Sequence, residues 1–268
     1  MSHWFLSFIG GASLLLLCTT PPQTMAQQDN SQDKSPKVIG QRNGRHWTLD
    51  LSHAEKTGDQ QSISVPRVYA SLRSAHFKGH PNSKVQIQAE VNRWEIRFKG
   101  DPPSDAIVLE FDSYPATLAE TSSIKQLGDG TLTLPCSLGR TKGEKLRFEP
   151  QPHKNTIGFW TKTSDSVSWP ITISQPGEFN VGLLQGAGNN GGGTAKITIL
   201  KDSKQVASLD YDVEVTGHFQ NFVWKHAGKI AFEKPGDYVL RVAAAKIKKS
   251  ALMDVRQIHL SPLPKKLR

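Results

Sequence analysis

Cysteine is scarce. The 268 residues hold two, Cys18 and Cys136, which excludes a disulfide scaffold and a four-cysteine zinc site. Helical periodicity is missing as well: no stretch keeps apolar residues at a 3.6-residue spacing for three turns. Without gaps long enough for crossover helices, a parallel α/β sheet is excluded too. Catalytic signatures are absent. The nine histidines form no HExxH or HxH pair, and no serine sits in a GxSxG elbow. Carboxylates are plentiful, but strand spacing singles out no pair for glycosidase-type acid/base chemistry. The longest apolar run, Trp4–Cys18, has 15 residues. A membrane-spanning helix needs about 20, so no span is expected.

That run has another reading. Pro21 and Pro22 follow it, then Thr24-Met25-Ala26, a small-x-small cleavage pattern. Residues 1–26 therefore read as a signal peptide, and the protein as secreted, periplasmic or on the cell surface. Leu15-Leu16-Leu17 before Cys18 leaves a lipoprotein signal as the rival. With cleavage after Ala26, Cys136 is the one remaining thiol, and a buried inert state is expected. Residues 27–36 are polar and charged and read as a disordered leader.

Charge is unevenly placed. Residues 27–129 carry 13 basic and 13 acidic side chains, whereas residues 130–268 carry 20 and 11. The whole net charge of +9 thus falls in the second half. Lys246, Lys248 and Lys249 crowd one region, and Lys265, Lys266 and Arg268 form a basic tail in residues 263–268. Such a field attracts anionic polymers, although no nucleic-acid recognition motif is visible and no nucleic acid is expected.

What is present is period-2 alternation with Gly and Pro punctuation, the mark of half-buried strands. Candidates in the first half are His46–Leu51, Ser62–Leu72, the alternating Val85, Ile87, Ala89 and Val91, then Trp94, Ile96 and Phe98, and Ile107–Phe111. Those in the second half are Thr131–Pro135, Lys145–Glu149, Ile157–Thr161, Val167–Ile173, Glu178–Leu184, Ala195–Leu200, Gln205–Val215, Asn221–Phe232, Asp237–Ala244 and Met253–Ser261. The pattern predicts an all-β protein with a small sandwich over 37–115, a linker over 116–130 and a jelly roll over 131–262. Residues 116–127 fit either a short helix or a plain linker.

Loop lengths divide the jelly roll into two ends. If successive strands run antiparallel, the tight turns at Gln175-Pro176-Gly177, Asp202-Ser203 and Lys234-Pro235-Gly236 share one end. The longer loops, 162–166, 186–193, the Gly217 corner and 245–252, share the other. This count requires 221–232 to cross once, with a bulge near His226–Gly228. Function gathers on loops held by a rigid scaffold, so the long-loop end is the expected ligand site. Gly186-Ala187-Gly188-Asn189-Asn190-Gly191 spells a dinucleotide fingerprint. The segment after it alternates like a strand rather than opening a helix, which removes the nucleotide reading. Of the large aromatics, Trp169 lies mid-strand and is expected to pack, and Trp224 and Phe222 share strand parity. Trp160 adjoins a long loop and is the expected platform for a sugar ring.

The run from Asp129 carries a resemblance. It comprises Asp129-Gly130-Thr131-Leu132, Ile157-Gly158-Phe159-Trp160, Asp165 with Trp169, and Pro176-Gly177-Glu178-Phe179. Val215-Thr216-Gly217 with Phe219, Pro235-Gly236-Asp237-Tyr238 and Ile258-His259-Leu260-Ser261-Pro262 continue it. It resembles the non-catalytic C-terminal region of secreted bacterial alpha-L-fucosidases and some sulfatases. There a galactose-binding-like jelly roll of carbohydrate-binding-module type follows the enzyme. Val68–Pro115 is similar to the small sandwich between barrel and jelly roll. The catalytic barrel itself has no counterpart, so the resemblance implies an accessory protein and no catalytic residues. Jelly rolls of this type often hold a structural calcium, toward which Asp254 is the candidate ligand; no other cofactor is implied.

The expectation is therefore non-catalytic glycan binding with a preference for anionic, sulfated polysaccharide. The site residues are Trp160, Asp165, Asn189, Asn190, Lys246, Lys248 and Lys249, and a separate glycosidase or sulfatase is the implied partner. A fucosidase- or sulfatase-related enzyme and an extracellular protein scaffold are the alternatives.

Overall fold

The computed structural model describes residues 39–264; the signal segment, the leader and the tail lysines lie outside them. The first sandwich contains β1 (Gln41–Asn43), β2 (His46–Asp50), β3 (Glu55–Thr57), β4 (Gln60–Pro66), β5 (Leu72–Phe77), β6 (Gln86–Ala89), β7 (Arg93–Lys99) and β8 (Ala106–Phe111). They form two four-stranded sheets, β1-β2-β8-β5 and β3-β4-β7-β6. Alternation sets the faces: in β7, Trp94, Ile96 and Phe98 are buried while Arg93 and Lys99 are exposed. Trp94 stacks on Phe111 at 6.1 Å between ring centroids.

The strand expected over Ser62–Leu72 is two. Past Pro66 the chain leaves β4: Arg67 N bonds Asn92 O, and Tyr69 N bonds Ala116 O. Those bonds carry it to β5 in the facing sheet.

The second body contains β9 (Ile124–Lys125), β10 (Leu132–Pro135), β11 (Arg140–Lys142), β12 (Arg147–Glu149), β13 (Thr156–Gly158), β14 (Ser166–Ile173), β15 (Gly177–Gly186), β16 (Gly193–Lys201), β17 (Lys204–Val213), β18 (Val223–Phe232), β19 (Gly236–Ile247) and β20 (Asp254–Pro262). One sheet runs β12-β13-β20-β15-β18 with β10 on β20; the other runs β11-β14-β19-β16-β17 with β9 on β14. Every pairing is antiparallel except β9 with β14. β18 does cross once, with a register shift where Val181 and Gly182 face Gly228 and His226. The fold is all-β, two sandwiches, as the alternation predicts.

The segment expected as a linker is instead packed. Residues 118–120 form one 3₁₀ turn, and Glu120 takes a fork of hydrogen bonds from Arg42 of the first sandwich. A few residues on, β9 joins the second sandwich. Gln126 then ties Gly130, Ser174 and Gln175 together.

The two sandwiches meet around buried Arg67. Its Nη2 donates to Ser137 O and Gly139 O, and its Nη1 to Thr141 Oγ1. Tyr69 and Phe148 lie against the guanidinium. Gln151 Nε2 donates to Ile87 O at 2.6 Å, and Trp94 and Phe148 pack at 6.4 Å. Cys136 is buried beside this junction, its thiol pushed up to about 12 by burial. That agrees with an inert sulfur.

The loop arithmetic holds. Residues 174–176, 202–203 and 233–235 are short turns at one end of the second sandwich. At the other end the long loops are stitched to one another. Leu252 N bonds Trp160 O, Gly192 N bonds Leu252 O, Ser250 N bonds Asn190 O, and Thr216 N bonds Ala187 O. β20 runs from this end, at Asp254, to the turn end, where Pro262 faces Phe179. No helix among the described residues is long and apolar enough to cross a membrane.

Candidate ligand-binding cleft

A cleft of about 290 Å³ opens at the long-loop end. Its aromatic walls are Phe159 and Phe219. Asn190, Gln220 and Ser250 supply amides and a hydroxyl, Thr161 lines the wall with its own hydroxyl buried, and Glu149, Lys154 and Asp254 supply charged groups. Each long loop except that of 162–165 sends a side chain into it.

The aromatic in the cleft is one residue away from the expected one. Trp160 is 0% exposed: its Nε1 donates to Asp165 O at 3.2 Å, so the indole belongs to the core and cannot stack on a ligand. Phe159 is 40% exposed instead. The cause is backbone: Phe159 has φ +62°, a left-handed conformation rare for a bulky residue. It ends β13 at Gly158, short of the expected Thr161, and inverts the alternation. The Arg147 guanidinium carbon sits 3.4 Å from the Phe159 ring centroid, which braces the exposed ring.

The glycine-rich loop builds the second wall. Gly188 and Gly191 lie against the Phe219 ring, where an added Cβ would come within 2.9 and 3.1 Å of ring carbons. At Gly186 a Cβ would fall 2.1 Å from Phe219 O. A parallel bridge joins Gly188 to Gly217, and Ala187 N donates to Thr216 Oγ1. The glycines are thus a seat for a phenyl ring, a role that could have been read from Phe219 beside the Thr216-Gly217 corner.

The remaining expected residues divide. Asp165 is buried and supports the fold: its Oδ1 accepts from Glu144 N at 3.1 Å, in space left by Gly143. It does not reach the cleft. Asn190 does, with its carbonyl held by Ser250 Oγ at 2.9 Å. Asn189 is exposed next to it, its carbonyl taking the Lys249 ammonium at 2.5 Å. Lys248 is exposed and does not line the cleft; its N–H bonds Gly192 O. Lys246 lies on β19 rather than in the loop, opposite Thr194.

Asp254 faces Glu149 at the floor. Both are 5% exposed, and both carboxylates press on the space a Gly158 side chain would need. Burial, then the Glu149 charge, pushes Asp254 up to about 8 against the pull of Lys154 and a Gln220 hydrogen bond. Lys154 Nζ meets Glu149 Oε1 at 2.5 Å. These residues do not fit the calcium that the resemblance implies. Calcium asks for six to eight oxygens, whereas here an ammonium already neutralises one of two carboxylates. Among the described residues no three acidic, histidine or cysteine side chains are grouped to hold a metal.

No protein-family model matches the sequence, and no curated protein matches it. Solved structures that are similar include a family 35 carbohydrate-binding module from Clostridium thermocellum. It is 11% identical, covers 50% of this chain and 98% of its own, and has a TM-score of 0.41. A CBM35 from Cellvibrio japonicus Abf62 is 12% identical, covering 52% and 96%, with a TM-score of 0.39. An alpha-L-fucosidase from Vibrio sp. strain EJY3 is 11% identical with a TM-score of 0.33; the match takes in 81% of this chain and 38% of the fucosidase.

Proposed function

We propose that the chain is a non-catalytic carbohydrate-binding protein that holds sugar in the long-loop cleft. The observation that carries this reading is the pairing of two aromatic walls, Phe159 and Phe219, with convergent neutral donors and acceptors on Asn190, Gln220 and Ser250. Apolar sugar faces pack on aromatic rings while hydroxyls need fixed polar partners. The volume suits a chain end or one ring rather than a long polymer. Phe159→Ala or Gln220→Ala should weaken binding several-fold on a glycan array that includes sulfated polysaccharides, with the melting temperature nearly unchanged. Full affinity in both variants overturns the cleft.

The preference for an anionic chain belongs to the same proposal. Inside the cleft the Glu149–Lys154 pair is balanced, so selection for sulfate would come from outside it, from the exposed Lys248 and Lys249 of the 248–253 loop and Lys246 near the end of β19. Exposed charges act over about 10 Å at 0.1 M salt. Heparin or fucoidan retention should fall steeply with salt, and replacing the three lysines should flatten that fall. Export and a separate glycosidase or sulfatase as companion complete the reading, on the strength of residues 1–26 and of the resemblance.

One observation favours hydrolysis as a second reading: a carboxyl raised to about 8 next to another carboxylate in a cleft. Against it, both carboxylates are 5% exposed and Glu149 is already held by the Lys154 ammonium, which ties up the group that would act as nucleophile or base. Turnover of aryl glycosides that disappears in Glu149→Gln would establish it.

A further inference from the structure

Four of the five tryptophans in the described residues, Trp47, Trp94, Trp160 and Trp169, are 0% exposed, and the fifth, Trp224, is 49% exposed. It stands on the outer face of the β12-β13-β20-β15-β18 sheet, opposite Leu184 of β15. The indole lies across Gly182: a Cβ there would be 3.5 Å from Trp224 Cε3 and Cζ3. That is ordinary contact distance, so a methyl would fit beneath the ring, whereas a longer side chain would compete with it for the same space. His259 of β20 meets the indole edge-on, 6.4 Å between centroids at 76°, and its Nδ1 is paired with Thr133 Oγ1 at 3.1 Å. On the other side His226 Nε2 is paired with Asn180 Oδ1 at 3.3 Å.

Around the ring is a hollow of about 420 Å³, to which Ser261 adds a hydroxyl. It shares no lining residue with the long-loop cleft. No carboxylate lines it, and its one lysine, Lys225, is paired with Glu214 at 2.5 Å. That chemistry does not suit a phosphate or sulfate, which would need unpaired cations. A protein partner would need a broad apolar area at its centre, and here one ring is set among polar side chains. A flat indole bordered by oriented imidazole, amide and hydroxyl groups suits the apolar face of a pyranose and its equatorial hydroxyls.

We propose that the sheet face around Trp224 is a second saccharide-binding site, with Trp224 as the stacking platform and Asn180, His226, His259 and Ser261 as its polar border. It takes an uncharged stretch of glycan, and it stands or falls independently of the cleft. A long chain held at both places gains avidity without any new contact.

The test is native affinity electrophoresis of the full chain through gels containing xylan, glucomannan, galactomannan or dextran, with intrinsic fluorescence alongside. At least one gel should retard the wild type, and that polysaccharide should shift or quench the exposed indole's emission. Trp224→Ala should lower retardation about three- to tenfold, the usual range for one aromatic contact. Gly182→Leu keeps the tryptophan but displaces the ring, and should reproduce the loss. Melting curves of both variants check the fold. Retardation unchanged in Trp224→Ala overturns the proposal, as does no retardation of the wild type by any of the four gels. Loss in Phe159→Ala with none in Trp224→Ala leaves the cleft and removes this site; the reverse leaves this site and removes the cleft.

Discussion

Arg67 donates its Nη2 to the carbonyl oxygen of Gly139 at 2.7 Å, across the boundary between the sandwiches. Among the described residues no carboxylate pairs with this fully buried guanidinium, and burial lowers its pKa. Backbone carbonyls and two aromatic faces take the place of a counter-ion. Arg67, a side chain of the first sandwich, thus finds its hydrogen-bond acceptors in the second, alongside the Gln151–Ile87 bond and the Trp94–Phe148 contact.

Removing it should cost both bodies. Arg67→Ala leaves the Ser137 and Gly139 carbonyls without this donor and opens a cavity, for an expected loss of about 2–4 kcal/mol. Arg67→Met, which restores most of the volume, should lose less. Chemical denaturation followed by tryptophan fluorescence measures both; equal stability of Arg67→Ala and wild type would show the clamp to be idle.

Trp160 is expected to behave as core. Trp160→Ala should destabilise by about 3–5 kcal/mol, as large-to-small changes of buried tryptophan do. Trp160→Phe should lose less while forfeiting the bond to Asp165. Calorimetric melting distinguishes this from a surface platform, whose removal would leave the melting temperature in place.

Asp254 makes stability depend on pH in a particular direction. Its folded pKa of about 8 lies above the ordinary 3.8. The folded state therefore keeps a proton that the unfolded chain has released between those values. The contribution is complete below 3.8, is lost as pH rises to about 8, and is flat above. Asp254→Asn should flatten that decline and exceed wild type at about pH 9 by on the order of 2 kcal/mol. Urea midpoints across the range test it; a wild-type curve that rises through this window would contradict the assignment.

Gly186→Ala should damage the cleft through the backbone. Its methyl would meet Phe219 O at 2.1 Å, so the corner bearing Phe219 and Gln220 must move. Ligand affinity should fall more than the one to three kcal/mol of stability that such a clash costs, roughly. Titration calorimetry together with melting measures the two losses on one sample.

The strands that alternate over four or more residues could be read directly, because period-2 burial is what half-buried sheet requires. β1, β3, β9 and β11 are two or three residues long and too short to carry an alternation. The end of the jelly roll that bears the cleft followed from loop lengths alone. The residue within it did not. Nothing in Ile157-Gly158-Phe159-Trp160 marks a left-handed phenylalanine, and one inverted residue exchanges the exposed ring for the buried one. Asp254 was legible as a notable acid at the start of a strand. Its partners Glu149 and Lys154, about a hundred positions earlier, came into view only through the pairing of β13 with β20.

β20 begins at the cleft with Asp254 and ends eight residues later at Pro262, beside the tight turns. At about 3.3 Å per residue the two ends are roughly 26 Å apart. A surface linkage made at the Pro262 end of this strand would thus anchor the molecule by its turns and present the cleft outward. Immobilised in that orientation, the protein would keep its loops free for ligand, whereas random coupling through lysines would also engage Lys248 and Lys249 in the 248–253 loop at the cleft's end. The polarity of one strand therefore decides how a sensor or affinity resin should be made from this chain.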